Sequence, residues 1–121
     1  MYQIKMLKSK IHGIAITEAN VNYTGSLTLD SELIEVANMI PDEWVVIVNN
    51  SNGERIETYL IAGLRGSGVC CLNGAAARKG VAGDKLIIMS NLLMDNVDAK
   101  TWKPLRIFIN GNNKIEKIET E

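Results

Sequence analysis

Asn52-Gly53 constrains the fold more than any other pair of residues in this chain. It sits between a continuous apolar run, Trp44-Val45-Val46-Ile47-Val48, and an alternating run over residues 54–61. Asn-Gly readily takes the positive φ angles of a tight hairpin turn, so the two runs are predicted to pair as antiparallel strands. Side chains alternate along a strand. Arg55, Glu57 and Tyr59 therefore fall on one face of the returning strand, and Ile56, Thr58 and Leu60 on the other.

Short strand-like runs recur on both sides of this hairpin. They are predicted over residues 2–9, 12–17, 21–23, 26–29, 69–72, 84–89 and 105–109. Lys10 and His12 flank Ile11 and share a face if the chain stays extended there. Asp30 is a good N-cap for a helix bearing Leu33, Ile34, Val36 and Ala37, which stops before Pro41. Further short helical pieces are expected after Asn73-Gly74 and over residues 95–100, and the polar tail 111–121 is expected to fray. Strands and helices do not alternate, which argues against a parallel doubly wound sheet. A closed or nearly closed, mainly β barrel with a few short helices fits best. With no repeat and no linker, residues 1–121 read as a single domain.

Composition narrows the function. A formal charge of -1 argues against a nucleic-acid binder. No apolar run reaches the length of a membrane span. Lys5, Lys8 and Lys10 interrupt the N-terminal apolar residues, so a signal peptide is not expected and a cytoplasmic location is. Cys70 and Cys71 are adjacent, lack metal-site spacing and have no evident activating base, and are expected to be inert. His12 is the single histidine, so no metal site is expected.

One stretch carries a chemical possibility, Asn22-Tyr23-Thr24-Gly25-Ser26-Leu27. A glycine there can hold a strained peptide whose carbonyl faces the Ser26 hydroxyl, so that the hydroxyl attacks it and turns an amide into an ester. An ordinary Gly-Ser turn is the commoner reading of these residues taken alone. Arg55 can grip a carboxylate with two parallel hydrogen bonds, and Lys10 can pair with one, though both types are commonly surface charges. Tyr59 shares the Arg55 face. The turn Asn73-Gly74-Ala75-Ala76 can offer N–H groups to a negative oxygen. Trp44 and Trp102 read as packing residues.

These segments together resemble the aspartate 1-decarboxylase family of pyruvoyl-dependent enzymes. The resemblance runs through Lys8-Ser9-Lys10-Ile11-His12, Thr17-Glu18-Ala19-Asn20, Asn22-Tyr23-Thr24-Gly25-Ser26, Asn52-Gly53-Glu54-Arg55, Thr58-Tyr59, Arg65-Gly66-Ser67, Asn73-Gly74-Ala75-Ala76-Ala77, Gly83-Asp84 and Thr101-Trp102-Lys103-Pro104. It implies a double-psi β-barrel assembled as a homotetramer with active sites at subunit contacts. It also implies self-cleavage of a zymogen at Gly25-Ser26, leaving a small chain, 1–25, and a large chain, 26–121, capped by a covalent pyruvoyl group made from Ser26. The reaction implied is decarboxylation of L-aspartate, held as a Schiff base, to β-alanine for pantothenate biosynthesis. By the same resemblance Lys10 and Arg55 hold substrate carboxylates and Tyr59 donates the proton. Thr58 polarises the Gly25 carbonyl during cleavage. Asn73, Gly74, Ala75 and Ala76 position the pyruvoyl group and substrate, while His12 and Tyr23 line the site. Some members need a helper protein for maturation. Some carry a tryptophan where this chain has Val48, which would leave a roomier pocket if that residue shapes it. Two other readings start from the same residues: an amidohydrolase that cleaves itself and uses the freed Ser26 amine as base, and a β-barrel binding module without enzymatic activity.

Overall fold

The computed structural model describes residues 1–120. Nine strands form one sheet: β1 (Gln3–Ala15), β2 (Glu18–Asn20), β3 (Ser26–Asp30), β4 (Trp44–Asn49), β5 (Arg55–Gly63), β6 (Cys70–Asn73), β7 (Lys85–Asp95), β8 (Leu105–Ile109) and β9 (Ile115–Glu119). Two short α-helices, α1 (Ser31–Val36) and α2 (Asn96–Ala99), and a 3₁₀ helix (Gly74–Lys79) complete the fold. Strand order is β2-β6-β3-β5-β4-β7-β1-β8-β9. This is the expected mainly β barrel with a few short helices. Parallel pairing of β1 with β8, β2 with β6 and β3 with β5 interleaves with antiparallel pairs, so distant segments of sequence become neighbours.

The hairpin forms where Asn52-Gly53 predicts it. Trp44 faces Tyr59 and Val48 faces Arg55 across it, and Gly53 takes φ +79°. The first two strand expectations merge into one. β1 runs unbroken for 13 residues because its turn-like interior is a bulge. Gly13 sits at φ +91° where the pairing with β7 shifts between His12 and Ile14. A bulge adds one residue and resets the alternation. Ile11 and Ile14, three apart, thus both point into the core, while Lys10 and His12 stay on the outer face.

Three other boundaries moved. Residues 18–20, expected as a turn, pair with β6, and residues 21–23, expected as a strand, form the turn instead. β7 continues past residue 89 because β1 is long enough to pair it to Asp95. The tail does not fray over Ile115–Glu119, which pairs with β8. Asn113 anchors it: its Oδ1 accepts from Ala15 N, and its Nδ2 donates to the carbonyls of Ala15 and Gly68, each at 2.9 Å. These bonds, with Thr17 N donating to Cys70 O at 2.8 Å, tie the two ends of the strand order together.

The core is aliphatic. Ile11, Ile14, Leu27, Leu29, Leu60 and Ile88 are completely buried. Burying each such side chain is worth about 1.5–3 kcal/mol. Ile56 and Leu60 of β5 both reach this core, so Thr58 between them faces inward, and Arg55, Glu57 and Tyr59 face outward. Asp30 caps α1 as expected, accepting from Glu32 N at 2.9 Å. It also gathers the loop ahead of β6, accepting from Gly66 N at 3.0 Å and Gly68 N at 2.9 Å.

Candidate active site

The antiparallel register of β3 and β6 sets the site. Ser26 faces Asn73 and Thr28 faces Cys71. Residues two apart in a strand share a face, so these four side chains form one cluster. Asn73 Nδ2 donates to Ser26 Oγ at 3.2 Å and to Thr28 Oγ1 at 2.8 Å. The Cys71 thiol donates to Asn73 Oδ1 at 3.1 Å.

Ser26 is 2 % exposed and has φ +102°. A residue with a Cβ rarely adopts that angle. Strain of this kind costs about 1–3 kcal/mol and persists only where the surroundings hold it. Gly74 is part of what holds it. With φ +62°, it lies so close to Gly25 that a Cβ there would sit 2.8 Å from both the Cα and the N of Gly25, and 2.9 Å from Tyr23 O. Only a glycine at 74 lets the Asn73-Gly74 turn press against the peptide preceding Ser26.

A cleft of about 270 Å³ opens over this peptide, lined by Gly25, Ser26, Ile56, Thr58, Ala75 and Ala76, with Glu57 and Lys79 beside them. Gly25, Ser26, Thr58, Ala75 and Ala76 are thus brought together as cleft lining, with Asn73 and Gly74 behind the peptide. The Tyr23 side chain is half exposed in the turn leading to Gly25. Lys10, His12, Arg55 and Tyr59 do not line this cleft. They lie on the outer face of the sheet, in rows that the registers define. Arg55, Val48, Ile87, His12 and Phe108 are successive cross-strand partners. So are Glu57, Val46, Met89, Lys10 and Arg106. Tyr59 faces Trp44, whose indole N–H donates to Glu57 at 3.0 Å. His12 stacks obliquely on Phe108, ring centroids 5.6 Å apart, and its buried Nδ1 has no hydrogen-bond partner among the described residues. A buried polar atom left unpaired in one chain is unusual.

Burial pushes the Cys70 thiol up to about 12. Burial, then the nearby Glu18 carboxylate, also raise Cys71. Both stay protonated at neutral pH, in keeping with the expected lack of nucleophilic reactivity. The Cys71 hydrogen bond to Asn73 was not foreseen. Neither was the place of Glu57 and Lys79 at the cleft. The i, i+2 spacing of Cys71 and Asn73 in one strand was the available signal.

A β barrel that buries a backbone-strained serine after a glycine, with an amide donor on its hydroxyl, sets a hydroxyl beside a strained peptide. A sequence profile described as aspartate decarboxylase matches residues 2–116. The chain is 59% identical over 105 residues to the aspartate 1-decarboxylase of Parabacteroides distasonis, covering 87% of this chain and 90% of that protein. It is 53% identical over 115 residues to that of Pelotomaculum thermopropionicum, covering 95% and 87%. It is 52% identical over 118 residues to that of Caldicellulosiruptor saccharolyticus, covering 98% and 92%. The chain belongs to the aspartate decarboxylase family.

Proposed function

We propose that this chain cleaves itself between Gly25 and Ser26 and then decarboxylates L-aspartate to β-alanine and CO₂, feeding pantothenate and coenzyme A synthesis. The observation that carries the proposal is the buried Ser26 at φ +102° with an amide N–H on its hydroxyl oxygen. In the cleavage, Ser26 Oγ attacks the Gly25 carbonyl carbon while its proton passes to the departing Ser26 nitrogen, so an ester replaces the amide. Loss of the Ser26 Cα proton expels the Gly25 carboxylate and leaves a dehydroalanine. Water adds, ammonia leaves, and residue 26 ends as a pyruvoyl group. Release of backbone strain at Ser26 favours the first step, and Thr58 is positioned in the proposal to polarise the Gly25 carbonyl.

The surroundings fit such a group. Asn73 supplies a donor at residue 26, and Gly74 to Ala76 leave room where larger side chains would intrude. Once formed, the pyruvoyl group supplies a ketone that takes the substrate amine and an electron sink for the charge left by departing CO₂. The chain's own residues do the rest. Arg55 and Lys10 hold carboxylates, Tyr59 returns a proton to the substrate carbon, and His12 and Tyr23 bound the pocket. Since Lys10, Arg55 and Tyr59 face outward from their own barrel, the proposal takes a homotetramer in which a neighbour's outer face closes each cleft. The unpartnered His12 Nδ1 supports a surface completed by another group. Maturation with or without a helper protein is compatible with this scheme, as is a cytoplasmic setting in which Cys70 and Cys71 stay reduced.

The test is Ser26→Ala. Alanine has no oxygen for the shift, so cleavage and β-alanine release should vanish together. β-Alanine release by that variant would overturn the proposal.

A further inference from the structure

We infer that Cys71 is a positioning residue for the cleavage at Gly25-Ser26: its thiol fixes the Asn73 carboxamide in the orientation that aims an N–H at the Ser26 hydroxyl. The inference rests on the self-cleavage reading above and adds a residue to it. A carboxamide has two ends of nearly the same shape, and a hydroxyl can meet either, because it donates and accepts. Ser26 and Thr28 therefore do not decide which end of Asn73 faces them. Cys71 does. A protonated thiol is a donor and only a weak acceptor, and its Sγ lies 3.1 Å from Asn73 Oδ1. Its other polar neighbour, the Leu72 carbonyl, is 3.9 Å away.

With Oδ1 held, Nδ2 faces Ser26 Oγ at 3.2 Å and Thr28 Oγ1 at 2.8 Å. That N–H supports the Ser26 oxygen as its O–H bond loosens, and it leaves the hydroxyl proton free to depart. A reversed amide would instead hold that proton on Oδ1. Cys71, Asn73 and Ser26 are all at most 3 % exposed, so water does not compete for these bonds. The raised thiol pKa keeps the donor in place at neutral pH.

The experiment compares two substitutions that separate hydrogen bonding from packing. Cys71→Val adds a methyl branch and loses the donor. Cys71→Ser loses volume and keeps a donor. Freshly purified, unprocessed full-length chain of each is followed over time by intact mass, with thermal melting as a check of folding. If the valine variant fails to fold, Cys71→Ala replaces it. Cys71→Val should cleave roughly 3–10-fold more slowly, the worth of about one net hydrogen bond, with Cys71→Ser within about twofold of the wild type. Equal rates for Cys71→Val and wild type, or the reverse order of the two variants, would overturn the inference and leave Cys71 a packing residue. A wild-type chain that never cleaves would overturn the reading beneath it instead.

Discussion

Thr58 and Tyr59, to which the proposed function gives different tasks, lie on opposite faces of β5. Thr58 points inward to the Gly25-Ser26 cleft, and Tyr59, the next residue, points out. That parity was legible from alternation alone. The strain at Ser26 was not, because φ at one residue is set by what presses on it, and Gly74 lies 48 positions further along (74 minus 26). The two residues should fail differently when altered. Tyr59→Phe keeps the ring and removes the acid, so it should still cleave while turnover per processed chain falls roughly 10²–10⁴-fold. Thr58→Val should slow or block cleavage. Gel analysis paired with β-alanine release per processed chain separates the two, and full turnover by Tyr59→Phe would remove Tyr59 from the role of proton donor.

Among the elements, α1 and the loop before β6 hang on one side chain. Asp30 was legible as a helix cap from its place before an amphipathic run. Its bonds to Gly66 N and Gly68 N were not, since they join segments 36 and 38 residues apart. Burial pushes the Asp30 carboxyl up, but the N–H donors of Gly68, Gly66 and Glu32, with Lys114, outweigh it and hold it below the ordinary aspartate value. A lowered folded value contributes stability that is complete above the unfolded value and is lost as pH falls through the folded one. Asp30→Asn should therefore cost roughly 2–3 kcal/mol at neutral pH, the scale of a hydrogen bond to a charged group. The cost should shrink as pH falls below the ordinary aspartate value and through the lowered one. Denaturant midpoints from neutral pH to the acid range measure it, and a gap between the two proteins that does not narrow would contradict the linkage. β9 was missed for a related reason. Only Ile115 and Ile118 mark it as apolar, and its ordering comes from β8 and from Asn113, a polar residue that reads locally as a turn.

At the scale of the whole molecule, the barrel was legible from short strands without β-α alternation, and the distance of Lys10 and His12 from Ser26 along the strand order was not. It depends on strand order, which places β4 and β7 between β5 and β1. Under the proposed function, a site at Ser26 that also needs Lys10, Arg55 and Tyr59, none of which lines the cleft in one chain, is naturally built from two copies. If the proposed tetramer forms, assemblies of mixed chains should show complementation. Tyr59→Phe chains, which carry a processed residue 26, and Ser26→Ala chains, which carry an intact Tyr59, should together release β-alanine faster than either alone. No gain after verified mixing would mean that each copy works with its own Tyr59. The central claim, that this chain converts Ser26 into its own catalytic group, is tested most directly by the intact mass of the purified protein. The account predicts a fragment ending at Gly25 and a fragment beginning at residue 26 that is lighter, by one ammonia, than a serine-initiated chain. A single uncut chain after long incubation, with or without a maturation helper, or a large fragment bearing a free Ser26 amine, would contradict it.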